Sequence, residues 1–299
     1  MIVEVVIFKI ATFLNVYIFN INYNLLVKHN SGESRRRQKY KSHKYKDDDI
    51  PKTPLMMSFT SYRTDLDAKH DKSERLVKLS RDITIESKRV IFLLHRTTKE
   101  DKSNLILEAD KKLHSLEQSH WKNVALELHG EDIYLFLRSY TQGLQEYVEA
   151  VSFLYYLKHK DLVPLSIVKD SLTFHNVDSG AVTTKTISVE VPIIDFALGL
   201  TDLGGELMRL AINSIGVGDF TTPKEICSFL RAFYDGLMNF RATNWQMNKK
   251  LQVLRNSLSK VENACYTLKI RGSEAPKELL RDLVSSVSTT TCNTDEYDN

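Results

Sequence analysis

Two short stretches hold acids spaced for chemistry. In GLQEYVEAVSFLYY, residues 143–156, Glu146 and Glu149 stand three apart in a strongly apolar run with no basic residue between them. In VPIIDFALGLTDLGGELMRLAINSI, residues 191–215, Asp202 and Glu206 stand four apart around Gly204 and Gly205. On a helix both spacings put the pair on one face, where like charges repel unless a cation lies between them. Mg²⁺ takes oxygen ligands and keeps several waters, so a cluster of two to four carboxylates suits it. A site of that kind orients and activates water and steadies the charge of an in-line phosphoryl displacement. Glu146, Glu149, Asp202 and Glu206 are therefore the candidate metal-ligating and catalytic residues. Spacing alone leaves the alternative open that both pairs are solvated faces neutralised by Arg138 or Arg209. A di-iron carboxylate site is disfavoured, because it asks for Glu-x-x-His on two helices and neither pair contains a histidine. His95, His114, His120 and His129 stand singly and read as surface or capping residues.

The elements that must position these acids are long helices. The stretch from Thr53 to Arg96 opens on Thr–Pro, suited to a cap and first turn, and Leu66, Lys69, Leu76, Leu79, Ile83 and Val90 recur at steps of three, four or seven. One helix of about 40 residues is expected there, well above the usual length. A second is expected over 102–128, stopped by Gly130, and a third over 132–159, capped by Asp132. The third turns Ile133, Leu137, Tyr140, Leu144, Tyr147, Val148 and Val151 inward. Its two glutamates lie opposite, among Leu135, Gln142 and Phe153, as on a second packing surface or a cavity wall. Residues 160–190 break the pattern; a short helix over 165–174 and a loop over 175–185 are expected. A fourth helix opens at Pro192, with Ile193, Ala197, Leu200, Leu207, Ala211 and Ile215 inward. Glycine costs a helix interior about 1 kcal/mol relative to alanine, so a double glycine between Asp202 and Glu206 points to close approach of a helix or a ligand. A fifth helix should be capped by Thr222, a sixth should span 244–269, and APKELLRDLV makes a short seventh. No internal repeat and no strand-period run long enough for a sheet is present, so the fold class is an all-α bundle of long antiparallel helices.

The 299 residues are 42% hydrophobic and 26% charged, an ordinary globular composition. Cys227, Cys265 and Cys292 are far apart and make no metal spacing, which reads as buried or free thiols in a reducing compartment. The net charge of +3 is uneven: RRRQKYKSHKYKDDD, residues 35–49, holds seven Lys/Arg and three Asp, or +4, so the remainder sums to −1. A body without basic surplus gives little net attraction to phosphate, and a partner would have to supply much of the grip on a nucleic acid. The domain expected is 51–285. Residues 1–50, apolar and then basic, are expected to lie outside the fold, and 286–299 to form a disordered tail. The apolar residues 1–28 are interrupted by Glu4, Lys9 and several asparagines, and no cleavage site follows, so no membrane partner is expected. The basic run is a solvated linker or a nuclear-localisation or RNA-contact patch.

Four segments, DLDAKHDKSERLVKLSRDITIESKRVIFLLHR, GLQEYVEAVSFLYYL, DFALGLTDLGGELMRLAINSIGVGDF and SLSKVENACYTLKIRGSEAPKELL, together resemble the translin family, on its translin-associated factor X branch. The likeness is collinear from Phe59 to Leu283. GLQEYVEA and RGSE are similar to that branch and not to translin. The resemblance implies a seven-helix translin-type fold and assembly with translin into a hollow hetero-oligomer. It also implies Mg²⁺-dependent endoribonuclease activity on single-stranded RNA, as in passenger-strand removal during small-RNA loading. Single-stranded DNA is a further ligand it implies, and cytoplasm and nucleus are the compartments. The family's catalytic acids match Glu146 and Glu149 on the third helix and Asp202 and Glu206 on the fourth. The apolar residues 1–28 depart from the family's polar, basic start. A non-enzymatic scaffold that stabilises translin is the competing reading.

Overall fold

A computed structural model describes residues 53–176, 185–239 and 245–271. The apolar and basic stretches before 53, the tip of the 177–184 segment, the expected seventh helix and the tail lie outside them.

Helix α1 (Pro54–His95) is 42 residues long, about 63 Å at the usual rise per residue. Pro54 occupies the first turn, and Thr53 Oγ1 accepts from Met56 N at 3.3 Å. No residue of α1 before Leu76 is buried, and Leu66 is exposed. The chain returns through α2 (Lys102–Leu116), a π-helical turn (Glu117–Trp121) and α3 (Lys122–Leu128), which form one rod. After Gly130, at φ +80°, Asp132 Oδ1 accepts from Tyr134 N and opens α4 (Ile133–His159). The short α5 (Leu165–Ser171) follows, then α6 (Ile193–Gly216), α7 (Thr222–Met238) and α8 (Trp245–Arg271). With α2 and α3 as one rod, the described residues hold seven helices. α5 is among them, three residues shorter than expected, while the stretch expected as the seventh is not described.

Two expectations are corrected. The loop expected over 175–185 is strand at both its ends, and 173–174 are strand, not helix: β1 (Thr173–Asn176) and β2 (Lys185–Ser188) pair antiparallel, Phe174 opposite Ile187, and both of these side chains are buried. Strands of four residues are too short to show a period of two. Thr222 is not the cap of α7 but its first residue. Asp219 caps the turn, accepting from Thr221 N (2.9 Å), Thr221 Oγ1 (2.7 Å) and Thr222 N (3.2 Å).

The return rod runs antiparallel to α1 before it and to α4 after it. The return rod crosses α1 with Arg75 on Glu127 and meets α4 with Asp110 on Lys158 and Glu117 on Tyr147. The helices that carry the acids are not consecutive neighbours and run parallel. α1 meets α4 at Ser73–Ser139, Ser80–Gly143 and Lys88–Glu146. α4 meets α6 at Gln145–Asp195 and Val148–Gly199. α6 meets α8 at Leu198–Lys250 and Gly204–Leu254. The main core is continuous through all of them, and Ile215, Ala264 and Leu268 form a small satellite at one end of α6 and α8.

Candidate metal centre

Glycines set the spacing of the helices that bear the acids. A Cβ on Gly143 would lie 2.8 Å from Ser80 O, and one on Gly199 would lie 2.7 Å from Gln145 O. Real side chains do not tolerate such distances, so α1 and α6 both press against the backbone of α4. Of the double glycine, Gly204 meets Leu254 of α8, whose Cδ1 would stand 2.1 Å from an added Cβ. Gly205 meets nothing within 4 Å and faces open space. The close helix approach expected there is made by Gly204 alone.

This packing brings the four predicted acids within electrostatic reach of one another. Glu149 is the centre: loss of water raises its pKa to about 8, and Asp202, Glu146 and Glu206 each add repulsion. It makes no hydrogen bond or ion pair with any described residue. The other three are answered individually. Glu146 pairs with Lys88 of α1 at 3.2 Å. Asp202 Oδ2 accepts from Lys250 of α8 at 2.5 Å; burial still holds its carboxyl above the ordinary value. Glu206 bonds the Nε2 of His95 and lies 4.0 Å from Arg209. The face is a packing surface in part: Phe153 is fully buried, and Leu135 is exposed.

His95 corrects the expectation of a surface or capping residue. It is buried at the C-terminal end of α1, its ring 4.9 Å from that of Phe153, and its Nδ1 has no hydrogen-bond partner. Lys250 was not foreseen either. Its Nζ donates also to Gln145 Oε1 (3.0 Å) and Leu198 O (3.1 Å), while Gln145 Nε2 donates to Asp195 Oδ1 (2.9 Å). Thr141 donates to the same Asp195 oxygen. Neither Lys88 nor Lys250 belongs to a motif, and each stands beside another basic residue, Arg89 and Lys249, so the sequence offers no signal that singles it out. Arg138, one of the neutralising groups considered, is exposed and takes no part.

Among the described residues no three His, Cys, Asp or Glu side chains are drawn together closely enough to hold a metal ion. The donor set nevertheless fits a hard divalent cation. It offers four half-buried carboxylates on two parallel helices, one of them without a partner among the described residues and repelled by the rest. No described helix is long and apolar enough to cross a membrane. Cys227 is buried and Cys265 half-buried; both are free thiols, and burial raises both.

Known proteins share this architecture and sequence. Translin-associated protein X of Mus musculus is 48% identical over 246 residues, covering 78% of this chain and 84% of its own. The translin-associated protein X homolog of Schizosaccharomyces pombe is 33% identical, covering 74% and 90%. Translin of Homo sapiens is 26% identical over 155 residues, covering 52% and 65%. Among solved structures, a chain of the AfC3PO–duplex RNA complex superposes with a TM-score of 0.53 at 21% identity, covering 73% of this chain and all of that one. A chain of apo-NeC3PO does so with a TM-score of 0.52 at 21% identity, covering 69% and 94%. At that identity the two structures speak for the fold alone. The sequence model described as "Translin family" matches residues 71–272, and with the identity to translin-associated protein X this shows that the chain belongs to the translin family.

Proposed function

We propose that the chain is the catalytic subunit of a Mg²⁺-dependent endoribonuclease that works in complex with translin and cuts single-stranded RNA, as in passenger-strand removal during small-RNA loading. The observation that carries the reading is Glu149, a half-buried carboxyl without a partner among the described residues and repelled by Asp202, Glu146 and Glu206 together. A bundle that needed only stability would not gather four acids there, because each ionised carboxylate it buries costs free energy until a cation answers it. Glu146, Glu149, Asp202 and Glu206 would hold the ion. Mg²⁺, when bound, supplies a Lewis acid that lowers the pKa of a water and offsets charge building up on the phosphate. Glu149, with a pKa of about 8, holds a proton at neutral pH in the metal-free protein and gives it up as positive charge arrives. Once ionised, a carboxylate beside the ion suits acceptance of a proton from an attacking water. His95 orients Glu206 from behind, and Gln145, fixed by Asp195, orients Lys250.

RNA as substrate and translin as partner are supported by kinship: the identity to translin-associated protein X, and a structural neighbour held in a complex with duplex RNA. The near-neutral body agrees with a partner that supplies attraction to phosphate. The basic run 35–46 fits work in both nucleus and cytoplasm.

One observation favours a second reading, a non-enzymatic scaffold. Lys88, His95 and Lys250 already answer three of the four acids within the chain. Co-purified chain and translin, incubated with single-stranded and duplex RNA with and without Mg²⁺, separate the two. We expect Mg²⁺-dependent cutting of single-stranded RNA that Glu149→Gln reduces by orders of magnitude while RNA binding persists. Cutting that survives Glu149→Gln, or no cutting at all by a complex that binds RNA, would leave the scaffold.

A further inference from the structure

Lys250 spends its ammonium on three oxygens from two other helices: a carboxylate, Asp202 Oδ2; a side-chain amide, Gln145 Oε1; and a backbone carbonyl, Leu198 O. These are the ligand types a hard cation takes. The site is built, not a chance contact. Gln145 is pinned by Asp195, its amide nitrogen 2.9 Å from the carboxylate. Gly199 brings α6 against Gln145 O, and the lysine side chain is only 26% exposed. Its charge also offsets part of the repulsion that Asp202, Glu146 and Glu206 exert on Glu149. Lys88 and His95 approach from α1; Lys250 alone approaches from α8.

We infer that Lys250 is a tethered counter-ion that occupies the place of the divalent cation in the metal-free protein, and that a metal ion enters only as the ammonium leaves Asp202. The inference rests on the metal-site reading above and adds a regulation to it. Two cations a few ångströms apart in a partly buried site repel strongly. Asp202 therefore cannot serve both, and every departure of Lys250 is charged against metal affinity. The fold thus keeps its acids together without metal, at the expense of weaker binding when metal comes. A purely structural lysine would hold α8 to α4 and α6 and leave metal affinity unchanged.

The test is Mn²⁺ binding, read as loss of the free-ion electron paramagnetic resonance signal, by the full chain purified with translin. Parent, Lys250→Met and Lys250→Arg are compared at constant ionic strength. Close charge pairs couple strongly enough that removing the competitor should lower the Mn²⁺ midpoint about tenfold or more in Lys250→Met. Lys250→Arg, which keeps the charge, should bind no more tightly than the parent. If Lys250→Met unfolds in chelator, saturating Mn²⁺ should restore its folded circular dichroism, since the ion replaces the lost charge. Equal midpoints in parent and Lys250→Met, equal tightening in both variants, or a Lys250→Met fold that metal does not restore would each overturn the inference while leaving the metal site standing. Absence of Mn²⁺ binding in the parent and both variants would overturn the metal-site reading itself, and this inference with it.

Discussion

Gly143 on α4 donates its backbone N–H to Ser80 Oγ on α1 at 3.1 Å, and the two residues leave no room for a methyl group between them. The contact lies one turn before Glu146 and fixes the distance at which Lys88 can reach that glutamate. Gly143→Ala should force the helices apart and destabilise the fold by about 1–3 kcal/mol, the usual cost of overpacking. Gly205→Ala makes the opposite case, because its Cβ would meet open space. It should stabilise by about 0.5–1 kcal/mol through helix propensity and a smaller unfolded-state entropy. Urea denaturation of both variants checks the contrast; equal effects would mean that the helix spacing has been misjudged.

Glu149 makes stability depend on pH in a definite direction. Its folded pKa, raised to about 8, lies above the carboxyl value of about 4.3 in an unfolded chain. Between those values the folded state holds a proton that the unfolded state does not, so stability falls as pH rises. The stability that this proton retains is present below the unfolded value and is lost as pH passes 8. In chelator, the melting temperature should therefore decline from pH 5 to pH 8 in the parent and decline less in Glu149→Gln. With Mg²⁺ at a hundredfold excess over its dissociation constant the parent should gain about 2.7 kcal/mol, and Glu149→Gln much less. Parallel pH curves for the two proteins would take Glu149 out of the centre of the cluster.

His95 ties the end of α1 to Glu206 and packs on Phe153. His95→Ala should destabilise by about 1–3 kcal/mol, since it leaves a half-buried carboxylate without its donor. His95→Gln, which keeps an N–H to offer, should recover part of that loss. Chemical denaturation in metal-free buffer measures both, and an undisturbed His95→Ala would return the residue to the surface role its sequence suggests.

Asp219, not Thr222, caps the turn that opens α7. Partial burial would raise its carboxyl, but hydrogen bonds from Thr222 and Thr221, side chain and backbone, outweigh it and hold the pKa near about 2. Its stabilisation is present above the unfolded value near 4 and is lost as pH falls through 2. Asp219→Ala should cost about 1 kcal/mol at neutral pH, and Thr222→Val no more than about 0.5 kcal/mol. Thermal melts of the two variants at pH 7 decide; a larger loss in Thr222→Val would restore the threonine as cap.

Helix positions and the four acids were legible because they are local. Apolar residues at steps of three and four place α1, α4, α6, α7 and α8 along the chain. Asp132 and Thr53 cap their helices by bonds that reach two or three residues. Both acid pairs share a helix face by spacing alone. The sequence also determined kinship, since collinear segments over most of the chain carry it. What the sequence could not decide is what stands opposite each acid. His95, Lys88 and Lys250 lie 111, 58 and 48 residues from the carboxylates they answer, and none belongs to a repeating pattern. Likewise, Gly204 and Gly205 are neighbours in one helix, yet one is pressed by Leu254 and the other faces open space. Parallel packing of α1, α4, α6 and α8 decides these matters. It depends on the summed burial of four apolar faces, an effect roughly proportional to area and without direction. Local residue order therefore does not show which cation the packing will carry to which carboxylate.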